Sequence, residues 1–160
     1  MAHCISGIIT SFQYTEELPH LVLVGNYYFL PVERRWERSF REEALPPFKE
    51  LTAGWRKTLR ELSFKGKCAY VETDFFGGDG KQFAEAWENG ERIQGPLVSF
   101  YGYTQARPIA GTTQVEDAIN EVLRTLGIYC HEGKDEFDSV GLGRFRSNEA
   151  IHKYLNASYP

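Results

Sequence analysis

The middle of the chain alternates β-prone runs with turn signals, and this pattern limits the fold more than any other feature. Residues 67–75 and 83–88 are rich in residues that favour strands, and a glycine loop separates them. The Asn-Gly pair at 89–90 is a strong signal for a type I′ hairpin turn. A Gly-Pro pair at 95–96 is expected to end one strand, and residues 97–103 are expected to form another. The sequence therefore predicts an antiparallel meander of three or four strands.

Strands are also predicted on either side of this meander. Residues 5–12 form an apolar and β-branched run, and the runs 21–25 and 27–32 meet at a Gly-Asn turn signal. Residues 128–130 are expected to add a short strand. The predicted sheet therefore draws on both halves of the chain.

Two principal helices are predicted from apolar residues that recur at helical spacing. In residues 48–62 the apolar positions are three or four residues apart, which is typical of one helical face. In residues 113–126 a Thr followed three residues later by Glu forms a capping-box pattern ahead of an apolar face. Shorter helical pieces are expected at 15–20, at 33–44 and after Ser147. These elements predict a single α+β domain over the whole chain, with the two principal helices packed on a mainly antiparallel sheet.

Charge and cysteine content exclude several classes of protein. The net charge of −4 argues against nucleic-acid binding through phosphate contacts, and it is compatible with a basic protein partner. The three cysteines, Cys4, Cys68 and Cys130, match no disulfide framework or zinc pattern, so we expect free thiols in a cytoplasmic protein. No signal peptide and no membrane span are recognised. Neither a metal nor a cofactor is expected.

Two glycine-rich segments carry acids beside flexible backbone. The first glycine segment, residues 75–82, follows a strand in which alternation places Glu72 and Asp74 on one face. Two carboxylates so placed repel each other unless they are solvated, paired or bound to a cation. The glycine loop could form a nest of backbone N–H groups that holds an anion. The simpler interpretation is a hairpin turn with positive φ angles. Its spacing fits neither a P-loop nor a dinucleotide-binding turn.

The second glycine segment, residues 135–146, places three acids near two arginines. Asp135, Glu136 and Asp138 resemble ligands of a hard cation, but an EF-hand would need a glutamate at the twelfth position. The simpler arrangement is pairing of these acids with Arg144 and Arg146, and the glycines between them would allow a tight fold. We therefore predict that the two segments meet and that one of the arginines forms a salt bridge with an acid of either segment.

The same segments carry a family resemblance. Residues 70–82, 119–127 and 135–146 are similar to stretches of small bacterial proteins of unknown function, which share a "YVET" strand before a glycine loop and a "DEFDxxGLGRxR" run. The resemblance covers about half of the chain, residues 70–149, and implies no established activity. Small acidic proteins of this kind also look like immunity proteins that neutralise a toxin, an analogy that rests on size and charge.

The sequence favours a non-enzymatic binding protein whose partner surface uses the acids and aromatics of the two glycine segments. The alternative is a small enzyme with its site between them, in which Glu72, Asp74 or Asp135 would act as an acid–base group and Arg144 as an anion clamp. A deep cleft that holds a carboxylate with a raised pKa would favour the enzyme, and a flat acidic face rimmed by aromatics would favour the binder. The candidate binding residues are Glu72, Asp74, Asp79, Gln82, Asp135, Glu136, Asp138, Arg144 and Arg146.

Overall fold

A computed structural model describes residues 2–13, 19–33, 43–103 and 107–158, and its fold is α+β as predicted. The strands are β1 (Ala2–His3), β2 (Ser6–Thr10), β3 (Leu21–Leu23), β4 (Tyr27–Pro31), β5 (Cys68–Phe76), β6 (Asp79–Glu88), β7 (Glu91–Tyr101) and β8 (Thr113–Gln114). The helices are α1 (Ala53–Leu62), α2 (Ala118–Thr125), α3 (Glu136–Val140) and α4 (Asn148–Ser158), with a short 3-10 helix at Leu142–Arg144.

The strands of the described residues form one mostly antiparallel sheet in the order β3-β4-β2-β5-β6-β7-β8, and β1 pairs with β5. Only β8 runs parallel to its neighbour, β7. The long hairpins β5–β6 and β6–β7 are the predicted meander, which is confirmed. The N-terminal strands extend the sheet from β5, because β2 inserts between β4 and β5.

Both long hairpins turn on two residues with positive φ angles. Gly77 and Gly78, at φ 63° and 90°, connect β5 to β6, and Asn89 and Gly90, at φ 52° and 77°, connect β6 to β7. Positive φ at both positions is the requirement of a type I′ turn, and it explains the glycines of the first segment. The simpler interpretation of that segment, a hairpin turn, is therefore confirmed.

The sheet is covered on both faces, so it separates two apolar clusters. Alternation along β5 sends Ala69 and Val71 to one face and Cys68 and Tyr70 to the other. The first face packs against α2, α3 and α4, and the second packs against α1 and the chain before it. The two predicted principal helices therefore lie on opposite faces of the sheet.

Both principal helices begin later than predicted. The apolar spacing from residue 48 continues into α1, but α1 begins only at Ala53, after Thr52 caps it by accepting a hydrogen bond from Trp55 N at 3.3 Å. Residues 43–52 instead form a loop in which Leu45 N donates to Leu51 O at 2.7 Å. Phe48 and Leu51 are still buried, so the apolar residues at 48 and 51 mark buried positions and not the start of the helix.

The predicted capping box at residues 113–116 is wrong, because Thr113 and Gln114 pair with β7 as strand β8. The helix α2 starts at Ala118, whose backbone N–H donates to Ser99 Oγ at 2.6 Å, and the next one, Ile119 N, donates to Gln82 Oε1 at 3.2 Å. Side chains of β7 and β6 therefore accept the first hydrogen bonds of α2, in place of the side chains of the predicted capping box.

Four smaller predictions need correction or fall largely outside the described residues. Strand β7 continues through Gly95-Pro96, where the register against β6 shifts, so the predicted break is a β-bulge. Residues 128–130 form no strand. The predicted helix at 33–44 and the turn at 15–20 fall largely on residues outside the described ranges. Ser147 does cap α4, since its Oγ accepts from Ala150 N at 3.1 Å.

Candidate functional site

A cleft of about 550 Å³ opens at the end of the sheet where β2 and β4 meet the second half of β5. Five pieces of chain line it: residues 4–6, Glu33, residues 49–50, residues 72–74 and residues 147–149. They belong to the N-terminus, the exit of β4, the loop before α1, strand β5 and the start of α4. Of the predicted site residues, Glu72 and Asp74 lie here.

Glu72 is the buried carboxylate of the cleft. It is 4% exposed and accepts hydrogen bonds from Lys49 N at 2.9 Å, Glu50 N at 2.8 Å and Tyr70 Oη at 2.6 Å. Burial raises the pKa of Glu72 above its ordinary value of 4.5, although these donors oppose the rise. The three hydrogen bonds join the loop before α1 to the sheet, so Glu72 has a structural task in addition to any chemical one.

The mouth of the cleft holds an ion pair between Lys49 and Asp74, the second predicted residue. Both side chains are partly exposed, at 62% for Lys49 and 40% for Asp74. The hydrogen bond with Asp74 raises the pKa of Lys49, and the charges of Asp74, Cys4 and Glu72 act in the same direction. The alternation that placed Glu72 and Asp74 on one face is therefore confirmed, and the second carboxylate is paired with a lysine.

Asn148 joins α4 to β2 and to the residue after β4 through hydrogen bonds of its side chain. Its side chain accepts from Ser6 N at 2.9 Å and donates to Ser6 O at 2.8 Å and to Val32 O at 3.2 Å. Asn148 is only 4% exposed, so these bonds replace water as partners of buried backbone groups. The start of α4 is thus fixed to the sheet beside the cleft.

The other residues of the first glycine segment lie away from the cleft. Asp79 accepts from Tyr103 N, and this bond ties the β5–β6 turn to the end of β7. Gln82 accepts from Ile119 N at the start of α2. Gln82 therefore has a structural role in the described contacts, whereas Asp79 stays partly exposed.

Two acids of the second glycine segment cap or anchor α3, and the segment forms no metal cluster within the described residues. Asp135 accepts from Asp138 N at 2.9 Å as the N-cap of α3, and it also accepts from Asn120 Nδ2 at 3.3 Å. Glu136 is buried and pairs with Arg124 of α2 at 3.3 Å. Asp138 remains exposed. The N-cap position explains why an aspartate stands at 135.

The predicted salt bridges of Arg144 and Arg146 are wrong. No ion pair joins either arginine to the six candidate acids, all of which lie in the described part of the chain. Arg144 instead lies over the ring of Phe145, with Cζ 5.1 Å from the ring centre, and its Nε donates to Gly141 O at 3.3 Å. Arg144 thus has an aromatic ring and a backbone carbonyl as partners in place of a carboxylate.

The two glycine segments nevertheless come together, and His3 joins them. Its ring lies edge-on to Phe75 of the first segment at 6.5 Å and to Phe137 of the second at 5.7 Å, measured between ring centres. His3 Nδ1 also lies 2.8 Å from Thr73 Oγ1. Burial lowers the pKa of His3. The predicted proximity is therefore achieved by aromatic packing rather than by salt bridges.

Exposed aromatic rings and acids lie at the same end of the sheet as this junction. Phe76 and Tyr103 are 75% and 94% exposed, and both lie next to Asp79, which pairs with Phe76 across the turn. Asp135 and Asp138 lie on either side of Phe137 in the sequence, the residue whose ring contacts His3, and both acids are exposed. We call Phe76, Asp79, Tyr103, Asp135 and Asp138 the acidic–aromatic face.

Sequence reasoning missed most of the cleft. Cys4, Lys49 and Asn148 come from segments far apart in the chain, and no spacing connects them. It also missed Glu85, which is fully buried and pairs with Arg56 at 3.0 Å and Arg92 at 3.3 Å. Glu85 stands between Phe83 and Trp87 on one face of β6, and a charged residue between two buried aromatics was the available signal.

Comparisons with known proteins found no match among protein-family models, curated proteins or solved structures. Within the described ranges, no helix has both the length and the apolar character needed to cross a membrane.

Proposed function

We propose that this chain is a binding protein whose acidic–aromatic face docks a basic protein, in the way an immunity protein neutralises a toxin. The observation that carries the proposal is the collection of exposed aromatic rings and exposed carboxylates at one end of the sheet. Both kinds of side chain were expected at the glycine segments, and both lie at the end of the sheet that holds the β5–β6 turn and the His3 junction.

Aromatic exposure supports a docking role. Tyr103 at 94% and Phe76 at 75% leave large apolar areas in water, and such rings gain free energy when a partner covers them. Aromatic residues are enriched among the side chains that dominate binding energy at protein interfaces. The two rings would therefore act as anchors for the partner.

Carboxylates near these rings support a basic partner. Asp79, Asp135 and Asp138 carry negative charge at the same end, and the whole chain has a net charge of −4. A net negative charge attracts a positively charged protein during diffusion and raises its association rate. The partner would carry lysines or arginines opposite these acids.

The proposed setting is the cytoplasm. Cys4, Cys68 and Cys130 are free thiols, as predicted, and Cys4 and Cys130 are exposed. Burial raises the pKa of Cys68 to about 12, so its thiol stays neutral. Exposed free thiols are typical of reducing compartments.

Site-specific photo-crosslinking in the cells that naturally produce this protein tests the proposal. A photoreactive phenylalanine analogue would replace Tyr103 or Phe76 on the face, and in a matched control it would replace Phe64, which is 63% exposed after α1. We expect the two face positions to capture a basic protein that the control does not capture. Equal capture from all three positions, or capture of acidic proteins only, would contradict the proposal.

A second candidate function, a small enzyme, is favoured by one observation. Glu72 lies in a cleft and burial raises its pKa, which is the arrangement that a general acid requires. Asp135 and Arg144, the other expected members of that site, do not line the cleft. Any reaction catalysed there should lose its rate in a Glu72→Gln variant, whereas capture of a partner by the face should continue.

A further inference from the structure

The ring of His3 is the central contact of the junction between the two glycine segments. It lies between Phe75 of the first segment and Phe137 of the second, with ring centres 6.5 and 5.7 Å away. Its Nδ1 lies 2.8 Å from Thr73 Oγ1 on β5, and the ring also forms a hydrogen bond with the backbone of Phe145. One imidazole therefore contacts β5, α3 and the segment that follows the 3-10 helix.

The chain around His3 can open without disturbing the centre of the sheet. Strand β1 is two residues long and pairs with the last two residues of β5. Beyond it, Cys4 N donates to Arg146 O and Ile5 N donates to Thr73 Oγ1, both at 2.8 Å. Short elements at the end of a sheet open locally at a lower cost in free energy than the long hairpins do. The amides of Cys4 and Ile5 therefore report on the junction.

The surroundings of the ring oppose a positive charge on His3. Burial lowers its pKa below the ordinary value of 6.5, and the charge of Arg146 acts in the same direction. The backbones of Phe145 and His3 and the carboxylate of Asp138 on α3 act in the opposite direction, but they do not reverse the shift. Strand β5 contributes an uncharged hydroxyl and an uncharged ring. The closed junction is therefore matched to a neutral imidazole.

We propose that His3 is a pH-sensitive latch, whose protonation in mildly acidic solution opens the junction and separates the two glycine segments. When the junction opens, the ring enters water, where it regains the ordinary affinity of an imidazole for a proton. Acid therefore shifts the population from the closed junction to the open one. Opening would also move Asp79 of the first segment away from Asp135 and Asp138 of the second. The effect of this movement on docking is the one part that rests on the proposed function.

Amide hydrogen exchange of the whole chain, followed by NMR between about pH 7.5 and about pH 5, tests the latch without a partner. The protection factor divides the intrinsic exchange rate by the observed rate, so it removes the direct effect of pH on exchange. For the amides of Cys4 and Ile5 we expect it to fall with pH. The fall can reach about thirtyfold, because about pH 5 lies roughly 1.5 units below the ordinary pKa of 6.5.

The His3→Gln variant isolates the latch, because glutamine keeps a polar side chain that does not titrate. We expect the protection of Cys4 and Ile5 to change little with pH in this variant. The matched control, His131→Gln, removes an exposed histidine from the chain before α3 and should behave as wild type does. The amides of β6 should keep their protection in all three proteins.

Three results would overturn the proposal. The first is protection of Cys4 and Ile5 that does not fall in wild type, or that falls equally in His3→Gln. The second is an equal fall for the amides of β6, which would mean unfolding of the whole domain. The third is an NMR titration in which the wild-type His3 ring takes up its proton at or above the ordinary pKa of 6.5. Since no partner takes part, the latch and the proposed docking can each fail without the other.

Discussion

Glu72 is the residue on which the local structure of the cleft most depends. Its carboxylate accepts from two consecutive backbone N–H groups, those of Lys49 and Glu50, and from the buried hydroxyl of Tyr70. Burial and the neighbouring Glu72 raise the pKa of Tyr70, so this hydroxyl stays protonated and remains a donor. One side chain therefore fixes both the loop before α1 and the hydroxyl beneath it.

Replacing Glu72 by alanine should destabilise the fold by about 2–4 kcal/mol, because three donors lose their acceptor in a largely buried position. The free energy of unfolding, measured with urea, checks this value. Asp74→Ala is the matched control, since its ion pair is exposed and should be worth at most about 1 kcal/mol. Equal losses in the two variants would show that the hydrogen bonds of Glu72 do not hold the loop.

Stability should also depend on pH through Glu72. Because burial raises the folded-state pKa above the ordinary value of 4.5, the folded protein keeps the proton at pH values where the unfolded chain has lost it. The contribution of Glu72 is therefore largest at low pH and declines as pH rises from about 4.5 through the folded-state pKa. The charged groups that act on this carboxyl are Glu50 and, nearby, Lys49.

The Glu72→Gln variant isolates this effect, since an amide does not titrate. The free energy of unfolding of wild type minus that of the variant should decrease as pH rises from 4.5 towards neutrality. Urea unfolding at several pH values measures the difference. A difference that grows over this range would mean that hydrogen bonding outweighs burial and that the folded-state pKa is depressed.

Among the secondary-structure elements, α3 and the 3-10 helix behind it depend on one glycine. Gly141 ends α3 with φ 100°, a left-handed conformation that lets Arg144 Nε return to its carbonyl. A Cβ there would meet Val24 at 3.8 Å, an ordinary contact, so a substitution is opposed by backbone conformation and not by crowding.

Gly141→Ala should therefore cost about 1–2 kcal/mol, the usual penalty of a left-handed residue that carries a Cβ. Gly141→Asn should cost less, because asparagine tolerates this region, as Asn26 and Asn89 do in the turns before β4 and β7. Thermal or urea unfolding ranks the three proteins. If alanine were tolerated as well as asparagine, the left-handed cap would not be the reason for the glycine.

Elements were predictable where local chemistry alone determines them. The Asn-Gly and Gly-Gly turns, the alternation along β5 and the cap of α4 by Ser147 depend on neighbouring residues, and the sequence indicates all of them. The starts of α1 and α2 were not predictable in this way. The loop at 43–52 is held by Glu72 of β5, and strand β8 pairs with β7. These contacts with strands far away in the sequence outweigh local capping patterns.

The candidate site was predictable to a smaller extent. Glu72 and Asp74 were identified because two carboxylates on one strand face require a partner, and the partner is Lys49 together with backbone N–H groups. The pairing of Arg144 and Arg146 with acids was wrong, since Asp135 caps α3 and Glu136 binds Arg124. Closeness in sequence did not specify which partner each charge would find in the folded chain.

At the scale of the whole molecule, the sheet places different surfaces at its two ends. The β5–β6 turn and the His3 junction lie at one end and carry the acidic–aromatic face. The β6–β7 turn lies at the other end, where Glu88 and Glu91 flank Asn89-Gly90. The ten residues of β6 separate the two turns by roughly 30 Å. Acids near the β6–β7 turn can therefore serve as a control for the acids of the acidic–aromatic face.

The most direct test of the proposed function is the association rate with the cross-linked basic partner, measured at several salt concentrations. Asp79→Asn, Asp135→Asn and Asp138→Asn together remove three negative charges from the face, and asparagine keeps the N-cap at position 135. The control protein carries Glu61→Gln, Glu88→Gln and Glu91→Gln, which remove the same charge near the opposite turn. We expect the face variant to associate about tenfold more slowly at low salt, with a weaker salt dependence, while the control associates at nearly the wild-type rate. Equal rates for the face variant and the control would contradict the account.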